Sequence, residues 1–175
     1  IIPSSNSLNK AQSVSSQIGD LPEWNLSDLY TSPTATEINK DLSDVEKLCG
    51  AFALKYENKL TTISASGMLR CLQDQEKING LMGRLMSFAS LRYYQMTTDT
   101  TRAKFLSDIQ DKITEFSSRL VFFTLEFNSL KDSHLTRMLN QNSDLARYKT
   151  AFVRMRAMKP YQLNDDLENF LHQQS

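Results

Sequence analysis

Glycine and proline are scarce in this chain, five and four in 175 residues. A β-sandwich needs a tight turn about every ten residues, so that supply excludes one and favours helices. An excess of charge is missing too, since twenty Lys and Arg balance twenty Asp and Glu. That balance does not draw the whole chain to nucleic acid or to an anionic membrane, and a soluble partner or a peptide ligand fits better. No apolar run reaches about eighteen residues, the length that crosses a bilayer.

Histidine is nearly absent. His134 in DSHLT and His172 in FLHQQS have no second His or Glu at helical ligand spacing. With only two cysteines besides, no zinc-site spacing appears, and there is no Gly-x-Ser-x-Gly elbow, phosphate loop or dinucleotide fingerprint. Catalytic, cofactor-binding and metal-ligating residues are therefore assigned to no position. Cys49 and Cys71 read as reduced core thiols of a cytoplasmic protein. A disulfide between them stays open, because both fall on expected helices that can be neighbours.

The first twenty residues, rich in Ser, Asn and Gln, lack the basic and apolar regions of a signal peptide and read as a flexible leader. The chain opens on Ile1, which points to processing or truncation. Beyond the leader, the length suits one domain, 21–175.

What is present is helical periodicity. From Thr36, a candidate N-cap, Ile38, Leu42, Val45, Cys49, Phe52 and Tyr56 alternate spacings of four and three, predicting a helix that ends near Leu60. A second is predicted from about Ala65 to Gln95. After a cap at Thr98 or Asp99, a third stripe runs through Leu106, Ile109, Ile113, Phe116, Leu120, Phe123, Phe127 and Leu130. The last two would each be on the order of 45 Å long, and short links would set the three rods antiparallel. Shorter helices are expected over Ser133 to about Leu139, Ser143 to about Met158, and Asn164 to Leu171, with Lys159-Pro160 separating the last two. The expected fold class is all-α, a long antiparallel hairpin bundle followed by shorter helices.

Several features invite functional readings. Gly80 and Gly83 lie inside the second helix, where each costs about 1 kcal/mol relative to Ala. A close crossing by a neighbouring helix or by the Trp24 segment is the expected reason, with a hinge as the other reading. Arg147, Lys149, Arg154, Arg156 and Lys159 share one stretch with Tyr148 and Phe152. An RNA-binding face is one reading, and the neutral chain favours a solvated or domain-contacting flank. Asp165, Asp166 and Glu168 fit an acidic first turn better than a carboxylate site. Tyr93 and Tyr94 are expected to divide, one ring buried and the other covering the bundle end.

Three segments then combine: LPEWNLSDLY near the start, FASLRYYQMTTDTT at the second hairpin, and RMRAMKPYQLNDDLENFL near the end. In order and spacing they resemble the N-terminal region of oligoendopeptidase F, a bacterial zinc metallopeptidase family related to thimet oligopeptidase. The resemblance covers Leu21 to Ser175. It implies a parent zinc metalloendopeptidase that hydrolyses short peptides, with zinc bound outside this chain by His-Glu-x-x-His on one helix and a Glu on the next. The implied partners are the catalytic portion of the parent chain and short peptide substrates, with neither nucleic acid nor membrane. LPEWNLSDLY is expected to act as a strap anchored by Trp24, Leu26, Leu29 and Tyr30. The alternative is a stand-alone helical protein-protein interaction module without enzymatic activity.

Overall fold

A computed structural model of the chain describes residues 24–157, and every regular element in that span is α-helical. The leader, Lys159-Pro160, the expected helix Asn164 to Leu171 with Asp165, Asp166 and Glu168, and His172 lie outside the described residues.

Helix α1 spans Thr36–Tyr56 and buries Ile38, Leu42, Val45, Cys49, Phe52 and Tyr56, the stripe that its period predicts. Its N-cap is Ala35, without a side-chain cap bond, so Thr36 is the first helical residue and not the cap. The helix also stops four residues before Leu60. Asn58, in the left-handed region at φ 61°, turns the chain out of the helix, a conformation that Asn tolerates better than most residues. Leu60 is fully buried all the same, so it packs as the anchor of a turn.

Helix α2 spans Ala65–Gln95, with Ser64 Oγ accepting from the Gly67 N–H at 3.1 Å. Helix α3 begins at Thr100, capped by Asp99, whose Oδ1 accepts from the N–H groups of Thr101 and Arg102 at 2.8 and 3.2 Å. Contacts across each link pair falling residue numbers with rising ones, as antiparallel neighbours must. Tyr56 meets Asp74 and Asp41 meets Arg84 between α1 and α2, while Phe88 meets Phe105 and the Arg92 carbonyl meets Arg102 between α2 and α3.

The third expected rod is not continuous. Helix α3 ends at Ser118, and α4 spans Val121–Ser129 after a tight turn. Ser117 and Ser118 donate their hydroxyls to the carbonyls of Thr114 and Glu115, and the ladder tightens to three-residue bonds at Arg119 and Leu120. Serine hydroxyls that compete for backbone acceptors weaken a helix at that point. Helices α5 (Asp132–Gln141), α6 (Ser143–Ala146) and α7 (Lys149–Ala157) follow. The single helix expected from Ser143 onward is thus two, broken at Arg147 and Tyr148.

The core runs from Tyr30 to Phe152 as one apolar cluster. At one end, ring contacts link Phe52 to Phe123 at 6.0 Å, Phe123 to Phe127 at 5.9 Å and Phe127 to Phe152 at 4.8 Å, joining α1, α4 and α7. At the other, Tyr30 stands edge-on to Phe88 at 5.2 Å, with Leu26 and Leu29 packed beside the cluster. Trp24 is not an anchor, because 58% of it is exposed. Cys49 and Cys71 are free and buried.

These burials predict opposite outcomes for two aromatic truncations. Phe127→Ala should cost about 3 to 5 kcal/mol of unfolding free energy in a denaturant titration. Trp24→Ala should change it by no more than about 0.5 kcal/mol, as exposed positions do.

Candidate functional site

Four polar nodes pin the helices to one another. In the first, the Tyr30 hydroxyl donates to Asp41 Oδ2 at 2.6 Å, and Arg84 Nη1 reaches the same oxygen at 3.3 Å. Arg84 Nε also donates to the Leu29 carbonyl at 3.1 Å, and the guanidinium lies 4.3 Å from the centre of the Tyr30 ring. Burial, then the bond to Asp41, pushes the Tyr30 hydroxyl well above its ordinary pKa, so it remains a donor.

In the second node, Asp74 Oδ2 accepts from Lys55 Nζ at 2.8 Å and from the Tyr56 hydroxyl at 2.6 Å. Burial opposes ionisation of Asp74, but these two donors outweigh it and hold the carboxyl below its usual range. Nearby, burial and then the Asp74 charge push the Cys71 thiol up to about 12, so it is inert as a nucleophile near neutral pH. Burial raises Cys49 as well.

In the third node, Glu126 accepts from the backbone N–H of Asn58 and, at 3.2 Å, from that of Leu60, fixing the turn between α1 and α2. In the fourth, Arg156 donates to the Asn128 carbonyl at 3.0 Å and to that of Leu130, and lies over the Phe127 ring. Arg156 is thus turned inward onto the C-terminal end of α4, where a cation complements the helix dipole. Arg147, Lys149 and Arg154 of the same stretch are exposed, and Lys159 lies outside the described residues.

Two open clefts flank these nodes. One of about 380 Å³ lies between the end of α1 and the α3–α4 junction, lined by Glu57, Asn58, Arg119, Phe122 and Glu126 among others. The other, about 650 Å³, lies between α2 and the α6–α7 junction and is lined by Leu69, Gln73, Glu76, Asp144, Arg147 and Tyr148. Within it the Tyr148 hydroxyl donates to Glu76 at 2.8 Å. Both clefts thus set charged groups of either sign beside small apolar walls.

Zinc chemistry does not fit the residues described here. His134 Nδ1 lies 2.7 Å from Arg137 Nη2, and its Nε2 has no described carboxylate, thiol or second imidazole gathered with it into a ligand group. Among the described residues no group of three or more His, Cys, Asp or Glu side chains converges. No described helix is long and apolar enough to cross a membrane.

Exposed apolar groups collect at the α2–α3 end. Trp24, Tyr94 and Met96 are 58, 63 and 52% exposed, and Gln95 Nε2 ties the Trp24 carbonyl to this end at 2.9 Å. Tyr93 is only partly buried, its ring 5.6 Å from that of Tyr94. The expectation for Gly80 and Gly83 is not met among the described residues: a Cβ on either would meet nothing within 4 Å, so no described helix, nor Trp24 itself, crosses closely there.

Sequence patterning marks the apolar stripes but misses the nodes. Asp41, Asp74, Arg84 and Glu126 look like ordinary surface charges, and only a charge on the buried face, such as Asp41 beside Leu42, offers a signal. Comparison with known proteins adds one finding. Residues 126–175 match an N-terminal family model described as Oligopeptidase F, which supports an N-terminal region of that kind. No curated protein and no solved structure matches the chain.

The depressed Asp74 pKa fixes the sign of a pH effect. The stability that Asp74 adds is present above its ordinary value of 3.8 and is lost as pH falls through the lower folded-state value. Asp74→Asn should therefore be less stable than wild type by a constant gap above about pH 4, and the gap should close below it. Denaturant titrations at stepped pH measure this.

Proposed function

We propose that this chain is the N-terminal helical portion of an oligoendopeptidase F-like zinc metalloendopeptidase that hydrolyses short peptides, and that it helps to wall the substrate cleft without doing the chemistry itself. The observation that carries this reading is the family match over residues 126–175, which contains the segment RMRAMKPYQLNDDLENFL. In this reading, residues 21–175 form the domain, 1–20 precede it as a leader, and the parent enzyme is cytoplasmic. Zinc is held by the catalytic portion of the parent, whose side chains supply the ligands and the general base.

The geometry supports a scaffold role. The charged nodes are spent on fixing helices to one another, and the mixed-charge clefts and the exposed Trp24, Tyr94 and Met96 remain available for the rest of the parent or for a peptide. That same apolar end is what a stand-alone interaction module would use, and it is the one observation that favours the second reading.

The two readings part on the parent gene and its product. The full translated product should run on into His-Glu-x-x-His and, once purified, cleave short peptides in a manner abolished by a zinc chelator and restored by zinc. The 175-residue chain, free of contaminating peptidase, should leave the same peptides intact. A parent that ends without the motif would leave the interaction module standing.

A further inference from the structure

Helix α2 lies beside α1 along both its halves, and each half has further partners of its own. Its N-terminal half buries Met68, Cys71 and Leu72, and Asp74 and Glu76 tie it to α1 and to Tyr148. Its C-terminal half buries Leu85, Phe88 and Ala89 and is tied to Tyr30, Phe105 and Arg102. The turn between them carries the two glycines, and Leu81 and Met82 beside them are only partly buried.

Among the described residues nothing packs against either glycine. At Gly67 an added Cβ would fall 2.5 Å from Ile63, so a neighbour accounts for that glycine. At Gly80 and Gly83 an added Cβ would meet no described atom within 4 Å, yet both lower helix propensity in the middle of a long helix. A residue type that weakens a helix without relieving a clash leaves a turn that opens more readily than its neighbours.

Arg84 follows directly. Its guanidinium crosses to Asp41 of α1, the Leu29 carbonyl and the Tyr30 ring, while Lys55 and Tyr56 of the same α1 hold Asp74 on the other side of the glycines. Helix α1 is therefore a splint bridging the weak turn. We infer that residues 80–83 form a hinge in α2, and that the Arg84–Asp41–Tyr30 node is the brace holding the two halves of the helix in line. Opening of the brace frees the end that carries Trp24, Tyr94 and Met96 to move relative to the half that packs on α5 and α6. This inference stands independently of the peptidase reading.

Amide hydrogen exchange along α2 of the 175-residue chain tests it. In wild type, residues 80–84 should exchange faster than the turns around Leu72 and Phe88. Gly80→Ala with Gly83→Ala, which adds methyl groups in open space, should slow exchange there by about tenfold to thirtyfold and leave the flanking turns unchanged. Arg84→Gln, which retains bulk and loses the charged fork, should speed exchange in the same window. Arg84→Lys should fall between that variant and wild type. Wild-type protection without a dip at 80–84, or slowing by the double variant spread evenly over α2, would overturn the hinge. Unchanged exchange in Arg84→Gln would overturn the brace.

Discussion

Two phenylalanines without exposed surface, Phe123 and Phe127, govern how the halves of the chain meet. Helix α4 is short and rich in apolar residues, and nine residues do not hold a helix by themselves in water. It forms because its rings have places to go, Phe123 against Phe52 of α1 and Phe127 against Phe152 of α7. The break after Ser118 is what allows this. A straight continuation of α3 would carry those rings along the axis of the hairpin, whereas the turn at Arg119 and Leu120 redirects them into the space between α1 and α7.

Once the rings are placed, the charged groups have little choice. Carbonyls at the end of α4 face Arg156, and the α1–α2 turn presents its N–H groups to Glu126. Each of these meets a backbone group that would otherwise lack a partner at the edge of the core, where such a group is costly. The Asp41 node does the same at the other end, satisfying the Leu29 carbonyl and the Tyr30 hydroxyl together. Long cationic side chains suit this work, since their stems lie on apolar surface while their heads reach the acceptors.

The apolar stripes were legible because burial follows helical period directly. Ile38 through Tyr56 and the bounds of α2 follow from spacing, and the start of α3 follows from the Asp99 cap, while the Ser64 cap shows only in the structure. The α3–α4 break was hidden for the same reason: Phe116, Leu120 and Phe123 keep the three-four spacing across it, and only the Ser117-Ser118 pair signals a stop. Trp24 misled because a large ring between prolines suggests burial, while its placement depends on what else lies at that end of the bundle. Gly80 and Gly83 misled in the opposite direction. Sequence shows a missing side chain but not whether a neighbour occupies the space.

The polar nodes bear on what the family match can mean. The matched stretch begins at Glu126, and that residue's carboxylate is spent on N–H groups of Asn58 and Leu60, far upstream of the match. The next residue, Phe127, belongs to the aromatic chain that reaches Phe52 through Phe123. Residues 126–157 therefore do not form a unit that could be lifted out of the chain, because their first turn is completed by groups on α1 and the loop after it. A likeness that begins at Glu126 therefore starts in a turn built with the earlier helices, and substitutions at Phe52, Asn58 and Leu60 disturb the placement of that turn as well.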